Sequence, residues 1–502
     1  MSPAPANATP LVLIDWMANN YDSALADVTD RTIPPISIEY GRDTGRSAAP
    51  PMISAVDLTL WNNDRLLSPE NPSSPVYQYI KPGRRLLIAQ EHGTEDLYRG
   101  TDDYRADDYY RGVGVWPLLT GWTDQFQYGS APFDYMVKLS GLGSSATLLR
   151  KIVSVEYSGA TRVDTAILNV LTAAGWPASQ MELVVSDSLL TDFWVSERPA
   201  WEVLVELLAT EGPGSLLWED GAGTLRFQNR NWRATATRST TYQATLHDGS
   251  DTGIWYTTLA YDPRWDDVVN RVTVTVNQRA LEATSVIWSY GVDLTVLSGT
   301  PKVLKLKPSD PFQNAITPVL TTDYTVSGGT VAITMDWADG AIATLTLTAT
   351  SGNPTLSGLQ VRAQPYKAVG ETVIEVSTAS ETGEEKTYNI AAWPELNPSD
   401  AHIIADSYLL RYQDSRPSIT VTLVNYDGDT QEQMLNFQIS DLVRIVNAHL
   451  GLDVDAYIER IKHDILSNGR HIMTLSCEPV SPIGVTGSRW DAGTWDTATW
   501  GI

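Results

Sequence analysis

The chain has 502 residues, a net charge of −25, and 42% hydrophobic against 19% charged residues. That balance belongs to folded material, roughly three to four domains, and excludes a mainly disordered protein. It also argues against gripping nucleic acid through its phosphates, which needs basic patches, although an acidic wall would let DNA pass without sticking.

The single cysteine, Cys477, rules out an internal disulfide framework and a multi-cysteine zinc site. It sits in an alternating apolar run with Ile472 and Leu475 and is expected to be a buried core thiol. The first residues, MSPAPANATPLVLIDW, lack a basic leader region, and no apolar run approaches the ~20 residues of a membrane helix. Folding in a cytoplasm is the expectation. The 35 glycines and 28 prolines, with abundant Thr and Val, predict many short strands joined by turns.

In chain order, residues 1–10 read as a flexible Pro/Ala-rich arm. Strands are predicted at Ile36–Gly41, Ile53–Trp61, Arg84–Gln90, Trp116–Tyr128 and Phe133–Ser140. The Ile53–Trp61 run alternates most clearly, and the loop after it is stiffened by Pro69, Pro72 and Pro75. Between Glu91 and Arg111 lies an acidic, tyrosine-rich segment. Its Asp102, Asp103, Asp107 and Asp108 are oxygen donors of the kind calcium takes. Their spacing matches no calcium loop and Arg99, Arg105 and Arg111 compete, so a surface or subunit-contact loop is expected.

Val163–Ala174 has helical spacing and stops at Gly175. A second helix starts after Pro199, carries Trp201, Leu204, Val205, Leu207 and Leu208 on its apolar stripe, and stops at Gly212-Pro213-Gly214. The runs Ser215–Glu219 and Thr224–Gln228, joined by Asp220-Gly221-Ala222-Gly223, read as a hairpin under that helix. Asp267–Asn277 opens a second β region. Asp323–Val326, Thr330–Asp336, Ile342–Thr350 and Leu359–Ala363, punctuated by Gly328-Gly329 and Gly352-Asn353-Pro354, read as an inserted sandwich. Ser399 or Asp400 then caps a helix over Ala401–Tyr412, followed by strands at Ser418–Val424, Asp441–Val446, Ala456–His463 and Ile472–Glu478. The tail places Trp490, Trp495 and Trp500 five apart, a period of neither helix nor strand, and these indoles are candidate partner-docking residues.

Chemistry is sparse. Asp43-Thr44-Gly45 and Asp251-Thr252-Gly253 repeat the tripeptide of aspartic-protease dyads, but polar flanks (Gly41-Arg42, Gly249-Ser250) replace the buried strand such a dyad needs, so they read as turns. The six histidines show no helical metal pair. His463 and His471 flank a turn and are expected as an ordinary cross-strand pair rather than ligands. Gly141-Leu142-Gly143 lacks the later glycine of a dinucleotide loop. Neither a P-loop nor a G-x-S-x-G nucleophile is present. No catalytic, cofactor or metal residue is nominated, and an enzyme is not expected.

The run AVDLTLWNNDRLLSPENPSSPVYQYIKPGRRLLI (55–88) resembles the start of minor tail proteins of long, non-contractile-tailed phages of actinobacteria. LLTGWTDQF (118–126), Trp201–Arg230, DDVVNRVTVTV (266–276), SDLVRIVNAHLGLDVDAYIERIKHDI (440–465) and the RWDAGTW tail are similar to successive blocks of that family's tail-tip hub proteins. The resemblance covers 55–295 and 366–502; the insertion at 300–365 departs from it.

It implies a structural hub at the distal end of the tail tube. In the related contractile-tail baseplate hubs each subunit gives two tube-like β-barrels, so three subunits present six and adapt a sixfold tube to a threefold tip around the path of genome ejection. A homotrimer is implied, with distal tail protein, tape measure protein and other minor tail proteins as partners. DNA would be met only in passage, and the protein would reside in the virion after assembly in the host cytoplasm. A hexameric distal tail protein and a host-surface glycan binder are the alternatives. The fold class expected is β-rich α+β and multidomain. It has a first barrel at 11–145, a small α+β module at 146–235, and a second barrel split over 236–299 and 366–480. An inserted sandwich occupies 300–365, and a Trp-rich docking tail 481–502.

Overall fold

A computed structural model describes residues 9–91, 115–129, 135–249, 252–337, 342–378, 384–467 and 469–480. The protein is β-rich. Twelve strands carry the largest sheet: β1 (Thr9–Asp15), β2 (Thr32–Gly41), β3 (Ala55–Trp61), β4 (Arg85–Glu91), β5 (Val115–Tyr128), β6 (Met136–Gly143), β7 (Tyr242–His247), β8 (Ile254–Asp262), β9 (Ser418–Val424), β10 (Leu442–Asn447), β11 (Leu452–Ile465) and β12 (His471–Pro479). Their order is β1-β4-β5-β6-β3-β2-β11-β10-β7-β8-β9-β12, and β12 returns to β11, which closes the last six into a barrel. The first six curl likewise. Val28 N–H reaches the Val12 carbonyl and Ile14 N–H reaches Ala26, so the segment leading into β2 lies along β1.

The two groups are one plan written twice. Going round each, the neighbours run first–fourth–fifth–sixth–third–second in chain order. The pairings among the second to sixth strands are antiparallel in both. The first strands differ, β1 running antiparallel to β4 and β7 parallel to β10. The agreement reaches single residues. Gly83 (φ +80°) and Ser440 (φ +73°) both hold left-handed backbone just before the fourth strand. Their N–H groups donate to the carbonyls of Thr123 and Ile458. In return Thr123 and Ile458 donate to Arg84 and Asp441.

Alternation explains these strands. In β3, Val56, Leu58 and Leu60 are buried while Asp57 and Trp61 face out. Residues of both barrels form one continuous apolar core that includes Cys477, whose thiol is raised far above its ordinary range by burial. The strand expected from Ile53 begins at Ala55, and Thr9 and Pro10, assigned to the arm, already pair with β4.

Between the barrels in sequence lies the α+β module. Its helices Val163–Ala173 and Ala200–Glu211 pack on each other. The hairpin Leu216–Glu219/Leu225–Gln228 gains a third, parallel strand from Met181–Leu183. Asp220 sets the turn by accepting from the N–H groups of Ala222 and Thr224. The helix buries Val203, Leu204, Leu207 and Leu208, whereas Trp201 and Val205 are only half-buried; its end at Gly212 needs φ +98°.

The alternating run expected to open the second barrel does something else. Arg271–Leu281 pairs with Gln360–Ser377 and Thr387–Ile390 in a separate sheet. Its Val272, Val274 and Val276 share the core of the α+β module and of the Pro398–Tyr412 helix. The second barrel instead starts at β7 and resumes at β9. Alternation specifies a half-buried strand and is silent about which sheet receives it.

A third core lies between that sheet and a four-stranded one built from Leu294–Thr295, Lys302–Leu306, Thr325–Trp337 and Ala343–Ser357. The glycines expected as turns here are bulges. Gly328-Gly329 and Gly352 lie inside continuous strands, with register shifts at Ser327/Gly329 and Thr330/Val331. The Pro398–Tyr412 helix is capped by Asn397, which accepts from Ser399 N–H, rather than by Ser399 or Asp400. A helix at Gly428–Asn436, capped by Asp427, was not anticipated.

Candidate functional site at the seam between the barrels

The barrels join edge to edge. Ile36–Gly41 of β2 pairs antiparallel with Arg460–Ile465 of β11, after β11 has parted from β10. Each barrel therefore completes the other's sheet, and the seam is continuous backbone hydrogen bonding.

At one end of the seam sits a buried ionic knot. Arg42 follows β2, and its Nε donates to Glu459 Oε2 at 2.9 Å. The Arg42 Nη atoms donate to the carbonyls of Ala49 (2.9 Å) and Ser215. Arg233, from the short helix Trp232–Thr235 that ends the module, approaches the same carboxylate in a fork. Its Nη1 lies 2.6 Å from Oε1 and its Nη2 2.9 Å from Oε2, while its Nε donates to Ser440. One carboxylate thus ties first barrel, module and second barrel together. Burial lowers the Arg42 pKa, with Glu459 opposing. Such a forked, fully bonded geometry is what makes buried charge tolerable.

A second knot stands on Glu478 of β12. It accepts from Ser47 N–H (2.9 Å), Ser47 Oγ (2.6 Å) and Arg411 (2.8 Å). Burial works against its charge, but Arg411, Ser47 and Arg416 prevail and hold the carboxyl at about 2. In a third contact Glu219, from the module hairpin, accepts from the backbone N–H groups of Ser144 (2.7 Å) and Ser145 (2.9 Å) just after β6. Gly143 leaves room for that carboxylate, since a Cβ there would lie 2.6 Å from Glu219 Oε2. Burial raises the Glu219 pKa against those bonds.

The histidine pair does meet. His463 Nδ1 and His471 Nε2 are 2.9 Å apart, with the Tyr40 hydroxyl 3.2 Å from His463 and Gln431 3.0 Å from His471. This chain of polar groups runs inside the seam. Burial lowers His463 to about 4 and His471 well below its ordinary value, so both are neutral near pH 7.

Each of these acids is spent on backbone, Ser or Arg partners, an arrangement for joining units. Among the described residues no cluster of three or more His, Cys, Asp or Glu is placed to hold a metal. Asp43-Thr44-Gly45 forms a turn, and Asp251 lies outside the described residues. So do Asp102, Asp103, Asp107 and Asp108, and the candidate docking residues Trp490, Trp495 and Trp500. A cleft of about 410 Å³ lies between module and second barrel, lined by Trp218, Arg226, Trp232, Arg238 and Asp441 among others. No helix among the described residues is long and apolar enough to cross a membrane. Sequence reasoning missed Arg42, Arg233, Glu459 and Glu478, because a charge in an alternating strand ordinarily faces water. The one available signal was Glu459, which shares the inward phase of Ile461, His463 and Ile465; Glu478 falls on the opposite phase from Met473, Leu475 and Cys477 and gave none.

No protein-family model matches the chain, and no curated protein matches it. Solved structures do. The 43 kDa tail protein of prophage MuSo2 from Shewanella oneidensis is 13% identical, with 94% of this chain and 98% of that one aligned at a TM-score of 0.51. A tail protein from Neisseria meningitidis is 11% identical, with 94% and 96% aligned at 0.51. The likeness, spanning nearly the whole of both chains, is one of fold.

Proposed function

We propose that this chain is a structural hub of a phage tail tip, acting as a homotrimer. The observation that carries the reading is the doubled barrel: two six-stranded units of matching connectivity, side by side in one polypeptide. Three copies would set six quasi-equivalent barrels around an axis, adapting a sixfold tube above to threefold parts below. The full-length fold likeness to two solved tail proteins, one of them from a prophage, supports a place in a tail. The net charge of −25 suits a bore through which DNA must slide during ejection.

In this reading the chain divides into a first barrel ending near 145, an α+β module at 146–235, and a second barrel at 242–262 with 418–480. The sheets at 271–390 project as an accessory body. Distal tail protein, tape measure protein and other minor tail proteins are the proposed partners, with Trp490, Trp495 and Trp500 offered to one of them. A long, non-contractile tail of an actinobacterial phage is the proposed setting.

Imaging of tail tips with an antibody fragment against this chain tests the proposal. Three fragments in a ring below the tube are expected. Six in the lowest tube ring would mean a distal tail protein instead, and none on the particle would end the reading.

A further inference from the structure

The internal doubling leaves two strand edges over. In the second barrel, β11 leaves β10 and gives Arg460–Ile465 to β2. In the first, β5 leaves β4 after Trp122, yet the edge of Gln125–Tyr128 away from β6 has no strand partner among the described residues. Likewise β2 gives its edge to β11, whereas its counterpart β8 meets β7 only at Ile254 and Trp255. Beyond that point the β8 edge away from β9 is unpaired among the described residues.

We infer that these edges join in trans: β5 of one copy pairs antiparallel with β8 of the next, repeating the seam seen within the chain. The inference rests on the hub reading above and adds to it the contact surface and its register.

Three observations point to a second copy as the partner. First, the bulges coincide. Glu459 is the extra residue between Ile458 and Arg460 opposite β12, and Asp124 is the extra residue between Thr123 and Gln125 opposite β6. Each long strand is thus bulged at an acid. Second, the far side carries the matching sign. Arg42 lies just past the end of β2, and Arg264 just past the end of β8, where within one copy it is shared by Asp262 and Asp267. Among the described residues Asp124 has only a surface contact of 3.9 Å with Arg150. Third, both edges show large aromatic rings to solvent, Tyr128 at 39% and Tyr261 at 38% exposed. An open edge with exposed aromatics is a pairing surface unless something covers it.

The register follows by transfer. Ile38 pairs with Val56, Val56 with Gly141 and Gly141 with Thr123; Tyr261 pairs with Ile419, Ile419 with Cys477 and Cys477 with Ile458. Ile38 thus corresponds to Tyr261, and Thr123 to Ile458. Within the chain Ile38 faces His463, which lies as far beyond Ile458 as Tyr128 lies beyond Thr123. Tyr261 therefore faces Tyr128 of the next copy, Asp262 faces Gln127, and Arg264 arrives beside Asp124. The contact is head-to-tail, so it must close into a ring or run on as a filament.

Disulfide trapping tests this on the full chain. Arg42 N–H donates to the Glu459 carbonyl, so Glu39 opposite Lys462 is of the close, non-hydrogen-bonded class, and Asp262 opposite Gln127 inherits it. The double variant Gln127→Cys/Asp262→Cys, mildly oxidised, should give a covalent ladder ending at three copies. Each single variant should give none, because native Cys477 is buried. Gly129→Cys/Ala260→Cys, one pair further on in the same close class, is the second pair, should the first disturb folding. A trimer by mass photometry in which neither pair cross-links would overturn the edge pairing and leave the trimer standing. A ladder ending at six would uphold the edges and overturn the threefold hub. A monomer at micromolar concentration would overturn both.

Discussion

Glu459 is gripped by Arg42 from the first barrel, Nε to Oε2 at 2.9 Å, and all three charged side chains of its knot, Arg233 included, are essentially out of water. Removing one member of such a set costs more than the set contributes, because the others stay buried and uncompensated. Glu459→Gln keeps the shape and deletes the charge. It should lower unfolding stability by about 3–5 kcal/mol. Asp453→Asn, which breaks the exposed pair with Arg444, should cost at most about 1 kcal/mol. Urea unfolding followed by tryptophan emission checks both; equal losses would mean the knot is not strategic.

The seam should weaken in acid. His463 falls from 6.5 to about 4 on folding, because burial disfavours its charge. The unfolded chain therefore takes up the proton first as pH drops. Above 6.5 there is no penalty; between 6.5 and 4 the folded state loses stability, up to about 3 kcal/mol. Glu478, lowered from 4.5 to about 2, contributes stability above 4.5 that is lost as pH falls toward 2. Both act in one direction but in successive windows. His463→Gln should make the decline below pH 6.5 shallower without abolishing it, because burial lowers His471 as well, and should leave the Glu478 step intact, as read from midpoints across pH.

Two glycines separate strain from collision. Gly41 and Gly83 both hold positive φ, +120° and +80°. A Cβ on Gly41 would lie 2.5 Å from the Glu459 carbonyl oxygen and 2.9 Å from Arg460 Cα, whereas one on Gly83 meets nothing within 4 Å. Gly83→Ala should cost about 1–2 kcal/mol for the left-handed backbone alone. Gly41→Ala should cost clearly more, since β2 must move off β11, and thermal melting of the pair measures the difference.

The module helix offers a packing test. Leu204 is fully buried in the core that the module shares with the 398–412 helix, while Leu410, on that second helix, is 71% exposed. Leu204→Ala should cost about 2–5 kcal/mol through the cavity it leaves. Leu410→Ala should lie within about 0.5 kcal/mol of the parent. A comparable loss at both would place the module core elsewhere.

Local order was legible in residues alone. Alternation at Val56, Leu58 and Leu60 defines β3, Gly212 ends the 200–211 helix, and Asp220 forms the hairpin turn. These depend on neighbours within a few positions, where sterics and local hydrogen bonds decide. The cap at Asn397 and the bulges at Gly328 and Gly352 were misread, because one residue type serves several local geometries and packing selects among them.

What only the tertiary structure decided is who pairs with whom. The Arg271–Leu281 run alternates as well as any barrel strand, yet it went to another sheet. Arg42, Arg233 and Glu459 are far apart in sequence and look like surface charges until the seam buries them. A strand's pattern states that one face must leave water, and nearly any apolar surface satisfies that demand. The choice among surfaces is made by the whole chain at once, through edges, registers and buried charges that no short window contains.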